Sequence, residues 1–224
     1  MAQIKNQKEI QLIKHACKLT DAVFERMKRK FVFRTEKELE QRILAQIKKA
    51  GCKPSFPPIV AAGANAAHPH WKPSDSKLKG FVVIDFGMVY KKYMSDMTRT
   101  IYVGTPSIKE KALYQLVLQS QLDGIDFIRP WRSCRDAHIV SAKALWDHTQ
   151  YFIHSLGHGI GTRIHEWPRI SPKSKKYFQK NMCVTVEPWV YIKDKLWIRI
   201  EDTCLVTEHG CERLTVSSKK LYII

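Results

Sequence analysis

Long apolar runs are missing from these 224 residues, and no stretch approaches the roughly 20 consecutive apolar residues that a membrane-spanning helix needs. The opening Met-Ala-Gln-Ile-Lys-Asn-Gln-Lys-Glu lacks the apolar core of a secretory signal and already carries an acid. Low-complexity tracts are also absent, and proline and glycine are scattered, so nothing marks a disordered segment. The expectation is a soluble, cytoplasmic protein without membrane contact. No two of the six cysteines (Cys17, Cys52, Cys134, Cys183, Cys204 and Cys211) form a C-x-x-C pair. Most sit in apolar surroundings, where a reduced thiol serves as a small buried hydrophobe.

Acidic residues are in short supply. Against 38 Lys and Arg stand 21 Asp and Glu, a formal charge of +17 that favours acidic partners such as RNA or ribosomes. The basic residues are spread along the chain, however, with no dense block and no nucleic-acid motif, so a solvated basic surface is the simpler reading. A length of 224 residues suits one large domain able to bury roughly 70% of its unfolded surface.

Apolar residues at spacings of three and four predict a helix over about 7–30, with Ile10, Ile13, Cys17, Thr20, Phe24 and Met27 inward. Thr35-x-x-Glu38 is a capping box that opens a second helix with Leu39, Ile43 and Ile47 inward and Gly51 as its stop. A short apolar strand from Ile59 runs into a loop of small residues bearing His68 and His70. The run from Phe81 to Thr100 then reads as a hairpin closed at Val103-Gly104. Ser107-x-x-Glu110 and Ser133-x-x-Asp136 cap two further helices, the first with Ala112, Leu116, Leu122 and Ile125 inward, the second with Ala137, Val140, Ala144 and Leu145. A strand from Tyr151 enters the glycine-rich bend at Gly157-His158-Gly159-Ile160-Gly161, and a second hairpin follows over about 184–202.

Both hairpins carry paired acids. A turn centred on Tyr90-Lys91 sets Asp85 opposite Asp96, and a turn centred on Asp194 sets Glu187 opposite Glu201. Like charges at directly opposed positions are destabilising, and the apolar flanks Val82, Val83, Ile84 and Phe86 argue against relief by solvent, so a cation is expected. Asp85 and Glu187, Asp96 and Glu201, and the caps Thr35 and Ser133 each recur roughly 100 residues apart. The chain therefore reads as a single domain of two pseudo-equivalent helix-helix-hairpin halves, about 1–104 and 105–224, whose hairpins meet in one sheet. Four carboxylates and a histidine suit two divalent cations, with Mn, Co, Fe and Zn all compatible. Water held between such cations is strongly acidified, and hydrolysis is the natural reaction.

The run Gly157-His158-Gly-Ile-Gly161-x-x-x-His165-Glu166-x-Pro168, the hairpin Asp85 to Thr100, Val186-Glu187-Pro188 and Arg199-Ile-Glu201-Asp202 together resemble the pita-bread metallopeptidases. His154-Ser-Leu-Gly-His158 and Pro69-His70 are more similar to Xaa-Pro aminopeptidases and Xaa-Pro dipeptidases than to methionine aminopeptidases. The resemblance implies an α+β pita-bread fold with a curved, mainly antiparallel sheet, and two divalent metal ions on Asp85, Asp96, His158, Glu187 and Glu201. It also implies that Glu187 moves a proton, that His70 and His165 bind substrate and steady the transition state, and that His154 and Arg199 position substrate. The implied substrate is a peptide with a free N-terminus and proline second. Methionine aminopeptidase is the alternative, and a non-catalytic module binding peptide or RNA is a third reading. Trp71 and Trp189 stand where the family has smaller groups and are expected to narrow the pocket. The additional N-terminal domain usual in Xaa-Pro enzymes has no counterpart in these residues, and an oligomer is compatible with them.

Overall fold

In a computed structural model that describes residues 4–63, 65, 71–192 and 196–224, helix α1 (Gln7–Arg29) opens on Asn6. The Asn6 side chain accepts from the Glu9 amide while Glu9 accepts from the Asn6 amide, a reciprocal cap that satisfies two otherwise orphaned donors. All six expected inward residues of α1 are buried. Helix α2 (Glu36–Lys49) starts at Thr35, whose hydroxyl accepts from the Glu38 amide, and buries Leu39, Ile43 and Ile47. The α2 face and the C-terminal part of the α1 face, Phe24 and Met27, pack with Val82, Ile84, Phe86 and Ile101 in one apolar cluster, while Ile10, Ile13 and Cys17 pack with Ile160, Cys183, Leu205 and Leu214 in another. Each such buried side chain contributes about 1.5–3 kcal/mol.

Strands β1 (Lys53–Pro54), β2 (Ile59–Ala62), β3 (Gly80–Phe86), β4 (Met88–Tyr90), β5 (Tyr93–Met94) and β6 (Met97–Val103) follow. They form an antiparallel sheet β2-β3-β6 and a smaller one, β1-β4-β5. The first hairpin differs from expectation in register. Its turn is Lys91-Lys92, both with positive φ (44° and 76°), and Asp85 pairs with Thr98 instead of Asp96. Two-residue hairpins favour this twist, which the sequence hides because lysines occupy positions where Asn-Gly is usual. A slip of two positions leaves every side chain on its original face, so Asp85 and Asp96 become diagonal neighbours on one face.

Helices α3 (Ile108–Phe127) and α4 (Cys134–Lys143) open on Ser107 and Ser133, as the capping boxes require. The inward face of α3 is not the one expected. Leu113, Tyr114, Val117, Ser120, Gln121 and Gly124 are buried, whereas Leu122 is exposed. Hydrophobic periodicity misses this face because part of it is polar: Ser120 bonds to Ser141 and Gln121 to Asp202 across the interior. On α4, Ala137 is buried as expected while Val140 is partly exposed. Residues 146–151 form a 3-10 helix, and the strand expected from Tyr151 is only β7 (Gly157–Gly159).

The remaining strands are β8 (Glu166–Ile170), β9 (Cys183–Val186), β10 (Trp189–Ile192), β11 (Leu196–Arg199), β12 (Asp202–Val206) and β13 (Cys211–Arg213). They build the antiparallel order β13-β12-β9-β7-β8 and the separate pair β10-β11. Trp189 pairs with Arg199 and Val186 with Asp202, so Glu187 and Glu201 fall between two ladders in the expected register. The turn around Asp194 lies outside the described residues. The two acidic hairpins meet along β6, but through threonine hydroxyls more than a continuous ladder. Thr100 Oγ1 donates to the Arg199 carbonyl and accepts from its amide, and the Glu201 amide donates to the Thr98 carbonyl at 3.1 Å.

Candidate metal centre

Asp85 is the next-to-last residue of β3, Asp96 precedes β6, His158 is the middle of β7, Glu187 follows β9, and Glu201 links β11 to β12. All five line one cavity of about 720 Å³, together with His154, His165, Trp189 and Arg199. Asp85, Asp96 and Glu201 are buried. One ligand atom each from Asp96, His158 and Glu201 lies within 4.8 Å of the others, and His158 Nε2 is 3.3 Å from Glu187 Oε1 and 3.7 Å from Asp96 Oδ2.

Backbone packing sets this geometry. A Cβ on Gly157 would sit 2.0 Å from the Thr185 carbonyl oxygen, and one on Gly159 2.3 Å from that of Trp167, so only glycine lets β7 approach its neighbours this closely. The Thr185 hydroxyl accepts from the His158 amide and donates to Glu187 Oε1 at 3.1 Å. His158 Nδ1 lies 3.0 Å from the Gly159 carbonyl, an arrangement that places the proton on Nδ1 and leaves the Nε2 lone pair facing the carboxylates. Burial pushes the His158 pKa down to about 4, which keeps the ring neutral and able to ligate.

The carboxylates are poorly compensated. Burial raises the Asp85 pKa to about 6, against the opposing pull of Arg199. Burial also raises Asp96 and Glu201 well above the ordinary range, reinforced by the neighbouring acids, and raises Glu187. Asp85 Oδ1 and Glu201 Oε1 are buried with no hydrogen-bond partner among the described residues. Unpaired oxygens in a dry acidic cluster are costly unless a cation meets them. This donor set, four carboxylates and one neutral imidazole, fits divalent cations.

Supporting groups surround the cluster. Arg199 donates from Nη2 to Asp85 and from Nε to Thr98 Oγ1 at 3.0 Å, with its guanidinium 4.7 Å from the Trp197 ring centre. Thr98 Oγ1 in turn donates to Glu201 Oε2 at 2.6 Å. Asp202, fully buried, receives Arg99 at 2.7 Å, Lys219 at 2.9 Å, Gln121 and Thr215. Thr203 donates to the Asp96 carbonyl. Thr185 and Thr203 carry no signal of their own in the sequence, because a lone threonine in a strand is ordinary.

His165 is exposed at the cavity, its ring 4.4 Å from that of His158, and His154 meets the Trp189 ring edge-on at 4.3 Å. Glu166 ties down the intervening loop by accepting from the Thr162 and Arg163 amides and from Lys5 at 2.7 Å. Trp189 walls the cavity as expected, whereas Trp71 does not line it. The Trp71 indole donates instead to Glu36 Oε2 at 2.8 Å. Glu36 is completely buried and also accepts from the Ala62 amide, the Asn65 side chain and the Ser74 amide and hydroxyl. It thus clasps both flanks of the segment bearing His68 and His70, which themselves lie outside the described residues.

Residues 11–208 match the profile of metallopeptidase family M24. The chain belongs to that family. Members use two divalent metal ions, in keeping with the donor set above. This M24 chain is 38% identical to the Xaa-Pro dipeptidase of Pyrococcus furiosus, over 97% of its own length and 64% of that relative's. It also superimposes on the Xaa-Pro dipeptidase from Bacillus anthracis with TM-score 0.94 and 39% identity, covering 99% of this chain and 64% of that one. The X-Pro aminopeptidase from Thermotoga maritima gives TM-score 0.94 at 33% identity, covering 100% and 65%. The M24 chain therefore spans just under two thirds of the length of these relatives, and its fold is the α+β pita-bread fold of their catalytic part.

Proposed function

We propose that this chain is a metal-dependent exopeptidase unit that hydrolyses the N-terminal bond of peptides with proline in second position. The observation that carries the proposal is the convergence of four under-compensated carboxylates and a neutral imidazole in an M24 chain. Asp85, Asp96, His158 Nε2, Glu187 and Glu201 are the residues that would hold two divalent cations. When bound, such cations polarise the scissile carbonyl and acidify an attacking water.

The protein groups supply the rest. Glu187 keeps an 18% exposed side chain at the cavity and is held by Thr185, which supports reading its carboxylate as the group that takes a proton and returns it to the leaving amine. His165, exposed at the cavity beside His158, is our candidate donor to the developing oxyanion; the family resemblance gives His70, which lies outside the described residues, the same role. The free ammonium of the peptide is drawn to the acidic cluster. Arg199 fixes Asp85, while His154 and Trp189 form the wall against which a proline ring packs. We read residues 1–104 and 105–224 as pseudo-equivalent halves of this one unit. The six free cysteines suit a reducing compartment such as the cytoplasm. Among the described residues no helix is long and apolar enough to cross a membrane.

Relatives named as Xaa-Pro dipeptidase and X-Pro aminopeptidase support proline over methionine specificity. The complete ligand set argues against a silent binding module. The deciding experiment compares release of the first residue from Ala-Pro and Met-Ala peptides, before and after exhaustive chelation and re-addition of Mn or Co. Faster cleavage of Ala-Pro, abolished by chelation and restored by metal, is expected. Preference for Met-Ala would overturn the proline reading, and turnover that survives chelation would overturn the metal reading.

A further inference from the structure

A second cavity of about 650 Å³ opens beside the first and shares His154, Ser155, Trp167 and Arg169 with it. The two differ sharply in charge. The acidic cavity is lined by five carboxylates, whereas among the described residues no carboxylate lines the second, where Arg169, Lys173, Lys175 and Lys176 gather. The lysines sit on a turn that is tied down: the Ser174 amide bonds to the Ser171 carbonyl, and the Cys134 amide of α4 to the Lys176 carbonyl. Two apolar side chains border the cavity while exposed to solvent, Ile153 at 64% and Trp167 at 55%. Its wall also contains His138, only 6% exposed, whose Nδ1 has no hydrogen-bond partner among the described residues. A buried polar atom in a cavity wall without a protein partner is a place where a ligand or water completes the bonding.

We propose that this cavity is an extension subsite that receives the downstream, anionic part of a peptide whose amino end lies in the acidic cavity. The inference rests on the exopeptidase reading above and names the substrate class more closely: peptides longer than a dipeptide, bearing a carboxylate beyond the proline. A peptide chain carries an ammonium at one end and a carboxylate at the other. The continuous trough offers acids at one end and cations at the other, so the two dipoles align. The carboxylate is either the C-terminal group of a short peptide or an acidic side chain of a longer one. Lys173, Lys175 and Lys176 attract it electrostatically, and Trp167 and Ile153 cover the intervening apolar stems.

The test measures binding by fluorescence anisotropy in the Glu187→Gln variant with added Mn, so that the peptide remains intact. The labelled probes are Ala-Pro-Glu-Glu-Glu and Ala-Pro-Ala-Ala-Ala, each with a free and an amidated C-terminus. Three exposed ion pairs predict about tenfold tighter binding of the glutamate peptide, lost in Lys173→Glu/Lys175→Glu/Lys176→Glu. A gain that depends on the free C-terminus alone assigns the subsite to the terminal carboxylate, and a gain that survives amidation assigns it to acidic side chains. Equal binding of all probes overturns the proposal. So does an equal loss in Lys30→Glu/Lys48→Glu/Lys49→Glu, exposed lysines that line neither cavity, because that result makes the attraction one of overall charge. If the preference appears in binding but the wild type cleaves none of these peptides, the exopeptidase reading fails and the subsite stands.

Discussion

At the scale of single residues, the centre depends on groups that hold a carboxylate as much as on the carboxylates. Glu187 is gripped by Thr185 and is the group that moves the proton in the proposed reaction. Glu187→Gln keeps the size and the bond from Thr185 but removes the base, so kcat is expected to fall by at least about 100-fold. The urea midpoint should change little. Glu36 shows the reverse pattern, since it touches no part of the cavity yet accepts five hydrogen bonds in a site with no exposure. A glutamine there turns an NH2 group toward donors, and Glu36→Gln is expected to cost about 2–3 kcal/mol in urea unfolding. The acids and His158 were legible in the sequence because a carboxylate set into an apolar strand is costly unless a cation or a charged partner meets it. Glu36 was not, because its position just after Thr35 reads as the ordinary acidic first turn of a helix.

At the scale of elements, caps and apolar stripes located the helices well, since the bonds that end a helix are local. Register and facing were less secure. The first hairpin turns at Lys91-Lys92, where both residues adopt the left-handed conformation that costs non-glycine residues about 1–2 kcal/mol. Lys91→Asn/Lys92→Gly is therefore expected to raise the melting temperature by about 2–4 °C, as read by calorimetry. A lowered value would mean that the lysines make compensating contacts. The unexpected inward face of α3 has a related cause. It includes Ser120 and Gln121, which are buried because partners on α4 and β12 await them, and no local pattern announces a distant partner.

At the scale of the whole molecule, one buried network ties distant segments together beneath the site. Asp202 receives Arg99 from β6, Gln121 from α3, and Thr215 and Lys219 from the C-terminal segment. Its pKa is lowered to about 2: burial alone would raise it, but the Arg99 and Lys219 charges outweigh that. A carboxyl with a folded-state pKa below its unfolded value stabilises the fold fully above about pH 4 and loses that contribution as the pH falls toward 2. The wild type should therefore exceed Asp202→Asn by about 2 kcal/mol at neutral pH and lose that advantage across this range, as followed by denaturant unfolding. An advantage that persists at pH 2 would remove Asp202 from the ionic network. The sequence by itself determined the helices, the acids of both hairpins and the histidine between its glycines, because capping, periodicity and close backbone approach are properties of short stretches. Only the tertiary structure decided that Asp85 pairs with Thr98, that Glu36 binds Ala62 and Asn65 on one side and Trp71 and Ser74 on the other, and that a cationic cavity adjoins the acidic one. Each of these depends on where remote segments come to rest, and that is set by packing of the whole chain.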